Sequence, residues 1–577
     1  MPSSSPVGSS MALVHEGWDH LRAQRPLSAW ASWQRALRLE PRSSAAGQAL
    51  AMLESAADLP AAARAVYRLR GPTSAAGRAA WDDRLGSRGA GDGDLEVLAD
   101  RFGRLASENP DDSAAWYNRA LCLAWMGNNR AAVGCLERAV ALEAESAFDR
   151  AVEAWTLAEV LRQGGGAESL ADDLRFAGTL DWEPQELTWL LDEFPEIQPV
   201  PTPQVPGAEA GLDCDIEVFH WLDRCLSVPG GAPRSTRAGD LPVVLATVYH
   251  SRASRTLRLS SPRVETLQRT EELLLPWIEA VAGRRSVRRE ALPRPLAFLD
   301  ADVWMIRVPT EVEPAGSDHR MRDWIEHFYE NEWIHRPRQG LEGLSPLSAA
   351  SAARQGNRVL RAKLVAVVRF REQLGSRPSA ARLYQGYPFD RLRRRLGLEP
   401  IDPTAVHPDD LTCAGPAELD RLDFAALEHP RLIEAVASAA GLRDDSRTAR
   451  LASELVRHRL LPAVELDLAA MVVAPLVRRA IGAGDFDAAI DWIDRVHPAA
   501  DAATGATLDV WRAEILARTG RGDAAMQLYR SLVHPDAAGA ALALDAAETL
   551  LDNGHRDQAR SLLGTARDLA RSTGRRG

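Results

Sequence analysis

The sequence predicts a mainly helical protein, with arrays of helix pairs at both ends flanking a small α+β and helical central domain. Small and large apolar residues recur at helical spacing near both ends. A Val- and Thr-rich stretch near the middle has the composition of a strand. A proline-rich stretch at 194–213 carries no helical period, so it predicts a linker.

The chain has 577 residues, which is too many for one hydrophobic core. We therefore predict several domains. The predicted ranges are a disordered N-terminus (1–12), an N-terminal helical array (13–193), the linker (194–213), the central domain (214–400), a helical connector (401–465) and a C-terminal array (466–573).

The clearest helix pair is Ser113–Ser146, a segment of 34 residues with Gly127 at the turn between its helices. The residues predicted to join the two helices are Trp116, Ala120, Leu123, Ala132, Leu136 and Ala139. This segment resembles the tetratricopeptide repeat (TPR) over its full length. An earlier copy has the corresponding residues Gly17, Ala29, Trp33, Ala36 and Pro41.

The C-terminal end has the same organisation. Gly484, Gly520 and Gly554 follow one another at intervals of 36 and 34 residues, each at a predicted turn between helices. The predicted contact residues that follow these glycines are Ala489, Ala525, Ala559, Ile493, Tyr529 and Leu563. Leu466–Ser572 therefore also resembles three TPR units.

The TPR resemblance implies an α-solenoid at each end, with a concave groove that binds partner proteins or peptides. It places Tyr117, Asn118, Leu121 and Trp125 in the first groove. TPR proteins that bind C-terminal carboxylates use an asparagine at the position of Asn118 together with lysines. Those lysines are absent here, which favours an apolar or aromatic groove; the alternative is that Trp125 packs against the neighbouring repeat.

The central domain has a different pattern. Ile216–Leu226 is predicted to be a helix, Leu241–Arg252 and Arg255–Ser261 are predicted strands, and Pro262–Gly283 is a second helix. A third, amphipathic helix at Ser317–Pro337 would place its charged residues, including Glu330, opposite an aromatic stripe.

The stretch that starts at Trp333 predicts a joint between two helices. Pro337 would end one helix, Gly340 and Gly343 would allow a turn, and Ser345 would cap the next helix with Pro346 in its first position. The pattern Trp333, Ile334, Pro337, Leu341, Gly343, Ser345 and Pro346 resembles the toxin-binding domain of MbcA/ParS/Xre-type bacterial antitoxins and helical modules of SEC-C-motif proteins. The antitoxin resemblance implies a regulator that grips a toxin-like partner through exposed apolar residues around Leu341 and Leu344.

Catalytic motifs are sparse. Lys363 is the only lysine, so no P-loop and no other lysine base or nucleophile exists. Asp300 and Asp302 follow an apolar run, as in metal-dependent transferases with a DxD motif, and this is the second alternative function. Glu332 and His335 have the spacing of a di-iron helix, but the other ligands such a site needs are missing.

The net charge of −11 argues against a general nucleic-acid coat. The basic run Arg391–Arg395 is interpreted as a solvated face, with an acidic partner as the alternative. Cys122 and Cys135 are predicted to be buried and structural. With no signal peptide or membrane span expected, the sequence predicts a cytoplasmic bacterial scaffold that binds proteins or peptides, is not an enzyme and needs no cofactor.

Overall fold

The structure is a computed structural model. It describes residues 9–72, 95–163, 170–172, 174–181, 194, 196–200, 216–223, 243–251, 256–282, 287–289, 294–295, 298, 314–457, 476–477, 480–481, 483–499, 502–534 and 537–573. These residues are mainly helical and include a small antiparallel sheet, which confirms the predicted class in outline. The chain divides into two compact units, Met1–Phe389 and Asp390–Gly577.

The first unit begins with seven described helices. They are α1 (Ser10–Arg22), α2 (Pro26–Leu39), α3 (Ser44–Ser55), α4 (Leu95–Glu108), α5 (Ser113–Trp125), α6 (Asn129–Glu143) and α7 (Phe148–Gln163). Helix α1 starts inside the range predicted to be disordered, because the Ser9 side chain accepts a hydrogen bond from the Ala12 N–H at 3.2 Å and caps it.

Small residues let these helices approach one another. In the first pair, the indole of Trp33 is fully buried against Gly17, and its Nε1–H donates to the Val14 carbonyl at 3.1 Å. In the second pair, Gly127 forms the turn with a φ of +82°, a conformation that favours glycine. The predicted contact residues Ala120, Ala132, Leu136 and Ala139 are all fully buried.

The described strands form one antiparallel sheet. They are β1 (Leu174–Asp181), β2 (Ile197–Pro199), β3 (Ile216–Leu222), β4 (Val244–Ser251), β5 (Thr256–Ser261), β6 (Val287–Arg289) and β7 (Arg294–Pro295). The order is β2-β3-β4-β5-β1-β6, and β7 also pairs with β1. Helix α8 (Val264–Ala282) packs on β1, β4 and β5. The core between helix and sheet contains Ile197, Phe219, Trp221, Val248, Leu257, Leu259, Leu267 and Leu274.

The predicted helix at Ile216–Leu226 is wrong, because Ile216–Leu222 is the strand β3. Phe219 and Trp221 are buried and His220 between them is half-buried, which is the period of a strand. The predicted strands and the helix after them are confirmed as β4, β5 and α8. Strand β1 lies within the range predicted for the helical array, and β2 within the predicted linker.

The remaining helices of the first unit follow the sheet along the chain. They are α9 (Pro314–His327), α10 (Pro346–Arg354), α11 (Arg358–Gly375) and the short α12 (Ala381–Tyr384). After α9 the chain forms a π-helical turn at Phe328–Glu332, which rotates the residues that follow. Glu330 lies within this turn and is not on a polar face as predicted: it is buried and accepts a hydrogen bond from the Tyr387 hydroxyl at 3.1 Å.

The joint between α9 and α10 has the predicted local chemistry. Ser345 caps α10 by accepting from the Ser348 N–H at 3.2 Å, and Pro346 is in the first turn. Gly343 has a φ of +80°. Gly340 approaches α7 closely, and a Cβ at this position would lie 3.2 Å from Cδ of Glu159. The need for glycine at position 340 therefore comes from a helix nearly two hundred residues earlier in the chain.

The regular elements described in the second unit are all helices, joined by turns and loops such as residues 397–415. Its helices are α13 (Phe389–Leu396, which starts at the last residue of the first unit), α14 (Pro416–Leu419), α15 (His429–Gly441), α16 (Asp445–Arg457), α17 (Phe486–Val496), α18 (Ala502–Arg518), α19 (Gly522–Leu532), α20 (Ala537–Asp552) and α21 (Arg556–Thr573). Gly484, Gly520 and Gly554 all have positive φ at turns, as their spacing predicts. Among the contact residues predicted to follow these glycines, Leu563 does not fit: it is 46% exposed, and Leu562 is buried instead.

The basic run of α13 is not the solvated face that we predicted. Arg395 is fully buried and donates to the carbonyls of Ala414 at 3.0 Å and Ser438 at 2.9 Å. Arg391 pairs with Asp410 at 2.6 Å. These arginines join α13 to the rest of the second unit, because each guanidinium can satisfy several acceptors at once.

Candidate functional site

The best-defined candidate site lies on α5 and α6. Asp112 caps α5 by accepting from the Ala114 N–H at 3.1 Å, and Asn128 caps α6 by accepting from the Ala131 N–H at 3.3 Å. Cys122 and Cys135 are buried in this helix pair, as predicted, and burial raises the pKa of the Cys122 thiol to about 12. The caps and the close packing give the two helices a defined geometry.

An extended segment of the same chain lies against this helix pair. After a short turn at Ala61–Ala63, residues 64–72 form neither helix nor strand. The segment is tied at its start, where the Ala62 N–H donates to the Gln373 side chain at 2.8 Å. Tyr67 is buried, and its hydroxyl donates to the Ala62 carbonyl at 2.9 Å. Leu69 packs on the apolar cluster between α4 and α5.

Asn118 holds the main chain of this segment. Its Oδ1 accepts from the Arg70 N–H at 2.7 Å, and its Nδ2 donates to the Arg70 carbonyl at 2.8 Å. Asn118 itself is fully buried. One amide side chain thus satisfies both main-chain polar groups of one residue. This arrangement can bind an extended main chain whatever side chain that residue carries.

The side chain of Arg70 enters a pocket made by α5, α6 and α7. Its guanidinium pairs with Glu143 at 2.7 Å and with Glu153 at 3.0 Å, and its carbon Cζ lies 3.6 Å from the ring centroid of Tyr117. It also donates to the Arg150 carbonyl at 3.2 Å. Burial raises the pKa of Tyr117, and the charge of Arg70 opposes this shift only in part, so Tyr117 is a neutral stacking surface.

The structure thus brings together two of the residues predicted for the first groove, Tyr117 and Asn118. Leu121 is fully buried in the core instead. Trp125 is half-buried, and its ring lies 6.0 Å from that of Trp30 in α2, so it packs on the neighbouring helix pair, the alternative role considered for it. Both tryptophans line a small pocket that also includes Tyr67.

Leu341 and Leu344 lie at the joint before α10. Leu341 is fully buried and Leu344 is half-buried, so Leu341 does not present the exposed apolar surface that the regulator interpretation requires. The joint instead packs on the N-terminal helices: the Trp155 Nε1–H in α7 donates to the Gly340 carbonyl at 2.9 Å. Helix α7 also packs along α11.

The single lysine has a structural place in this contact. Lys363 is 1% exposed, and its Nζ donates to Glu137 at 2.8 Å and to Glu342 at 2.6 Å. It lies 4.3 Å from the ring centroid of Trp155. In the same helix as Trp155, Glu159 is 1% exposed, and burial raises its pKa to about 7, opposed first by the charge of Arg162.

The residues considered for catalysis are described only in part. Asp300 and Asp302 lie outside the described residues. Glu332 pairs with Arg336 at 2.9 Å. In the part of the chain that the structure describes, no group of three or more His, Cys, Asp or Glu residues could hold a metal ion. Among the described helices, none combines the length and the apolar character needed to cross a membrane.

Sequence reasoning missed Arg70, Glu143 and Glu153. Arg70 follows no periodic pattern, and its partners lie 48 to 83 residues further along the chain.

Comparison with protein-family models and with curated proteins finds no match to this chain.

Proposed function

We propose that this protein is a non-catalytic scaffold whose TPR-like helix arrays bind extended segments of partner proteins. The observation that supports the proposal is the pair of hydrogen bonds between Asn118 and the main chain of Arg70. These bonds hold an extended segment on a helix face without any sheet. Main-chain recognition of this kind suits a binder of extended peptides, because side-chain pockets can then supply the specificity.

The TPR resemblance supplies the architecture of the proposal. In such an array each helix pair packs on the next, and the first helices line a continuous groove. The stacked small residues of α5 and α6 and the positive-φ glycines of the C-terminal helices have the pattern that such pairs need. Neither alternative function gains comparable support. Leu341 is buried, which weakens the regulator interpretation, and the transferase interpretation rests on residues outside the described ones.

The proposal is tested by selecting displayed random peptides on the purified full-length chain, in parallel on wild type and on Arg70→Ala. Bound peptides are then mapped by hydrogen exchange. We expect saturable binding, with new protection in helices of the arrays at 13–193 or 466–573. The proposal is refuted if neither chain retains a peptide, or if the protection maps only to the central sheet and α8.

A further inference from the structure

The pocket that holds Arg70 has the chemistry of an arginine site. Glu143 is 3% exposed, and its second oxygen accepts from the Ser113 hydroxyl at 3.1 Å, which orients the carboxylate. Glu153 supplies a second carboxylate, and the Tyr117 ring covers the guanidinium face. A guanidinium can donate to both carboxylates and to the Arg150 carbonyl while its flat face stacks on the Tyr117 ring. A lysine ammonium can also pair with carboxylates, but it has no planar face to stack and one donor atom instead of three.

The neighbouring contacts extend the pattern to three side chains. Tyr67 is buried and Leu69 packs on the apolar cluster of α4 and α5, while Val66 and Arg68 are exposed. Together with Arg70 this gives a Tyr-x-Leu-Arg pattern on an extended chain. Val66 and Arg68 point away from the helices, so the fit to the helix face depends on three positions and on the main-chain bonds to Asn118.

We infer that the pocket of Tyr117, Asn118, Glu143 and Glu153 recognises an arginine within an extended peptide, and that Arg70 is its intramolecular occupant. A partner segment with a Tyr-x-Leu-Arg pattern competes with residues 67–70 for the site. This inference rests on the proposed function and goes further, because it names the ligand chemistry and a form of self-regulation. In one state, residues 67–70 of the chain occupy the pocket. In the other state, these residues are displaced and a partner segment occupies it.

The tether favours the intramolecular occupant over a free peptide, and this determines how much Arg70→Ala should change peptide binding. A short tether gives the occupant an effective concentration of about millimolar, so a free peptide binds the wild-type chain weakly. Replacing Arg70 by alanine removes the charge-assisted bonds to two carboxylates and the stacking on Tyr117 from the occupant alone. The pocket itself keeps every one of its residues in this variant.

The test uses full-length chains and a fluorescent peptide of residues 64–72, measured by anisotropy. We expect Arg70→Ala to bind this peptide at least tenfold more tightly than wild type. The matched control Arg68→Ala changes an exposed arginine of the same segment and should bind like wild type. A peptide with lysine in place of Arg70 should bind Arg70→Ala at least tenfold more weakly than the parent peptide.

Three results would overturn the inference. Arg70→Ala could fold, by circular dichroism, and yet bind the peptide no better than wild type. It could bind the lysine peptide as well as the arginine peptide. It could fail to fold, which would make Arg70 a structural residue rather than a displaceable ligand. If selected peptides bind the arrays elsewhere and need no arginine, the inference fails while the proposed function stands.

Discussion

Asn118→Ala is the substitution that most directly probes the contact between the extended segment and α5. It removes two hydrogen bonds, of 2.7 and 2.8 Å, to the main chain of Arg70. Each such bond contributes about 0.5–1.5 kcal/mol net, so detaching the segment becomes easier by about 1–3 kcal/mol. The population of the detached state should then rise about 5- to 150-fold, at 1.4 kcal/mol for each factor of ten.

Hydrogen exchange with mass spectrometry measures this change, because amides exchange when a segment opens locally. The Arg70 amide is itself the donor to Asn118, so peptides that cover residues 66–72 should exchange faster by that factor. Exchange in the cores of α5 and α6 should stay within about twofold of wild type, because local opening leaves the helices intact.

Asn128→Ala is the matched control. It removes an asparagine cap from α6 in the same helix pair, at a cost of about 0.5–2 kcal/mol to that helix, but it has no bond to the segment. Its peptides at 66–72 should exchange as in wild type. If Asn118→Ala leaves exchange at 66–72 unchanged, or if Asn128→Ala accelerates it equally, the main-chain bonds do not hold the segment and our reasoning is wrong.

Three further substitutions test packing and charge. Gly17→Ala should lower the free energy of unfolding by about 1–3 kcal/mol, since a Cβ would lie 2.6 Å from Cδ1 of Trp33. Lys363→Met should change it by less than about 1 kcal/mol, since both glutamate partners are about half exposed and regain water. Glu159→Gln should flatten the pH dependence of stability. The raised pKa keeps Glu159 protonated in the folded chain, so wild-type stability falls as pH rises from about 4.5 to about 7.

Urea unfolding followed by tryptophan fluorescence measures the free energy of unfolding of all three variants. Gly134→Ala is the control for Gly17→Ala, because nothing lies within 4 Å of its added Cβ and alanine favours the helix by about 0.5–1 kcal/mol. A loss above about 1 kcal/mol in Lys363→Met would show that the ion pairs stabilise the fold. Equal pH slopes for wild type and Glu159→Gln from pH 4.5 to 7 would disprove the proton uptake.

Local patterns predicted much of the fold. The turns at Gly127, Gly484, Gly520 and Gly554 follow from the need for positive φ, and they are where the spacing places them. The cap at Ser345 likewise depends only on residues within one helical turn. Strand β3 was missed because its short run of apolar residues fits either period, and only its pairing with β4 decides between them.

The candidate site could be predicted only by half. The TPR resemblance predicts the face of α5 that carries Tyr117 and Asn118. What covers that face does not, because Arg70 comes from a stretch without periodicity and meets carboxylates on two other helices. Side-chain charge gives no sign of its partner when that partner lies seventy or more residues away.

The helical class, the helix pairs and their turns are readable from local patterns, since they depend on period, caps and glycine conformation within a few residues. Which surfaces are covered depends instead on contacts in the folded chain. In the fold, α7 packs along α11, Lys363 is buried between two glutamates, and Arg70 fills the pocket at Tyr117. Those outcomes depend on contacts between distant segments, where the burial of apolar area and the pairing of charge are decided together.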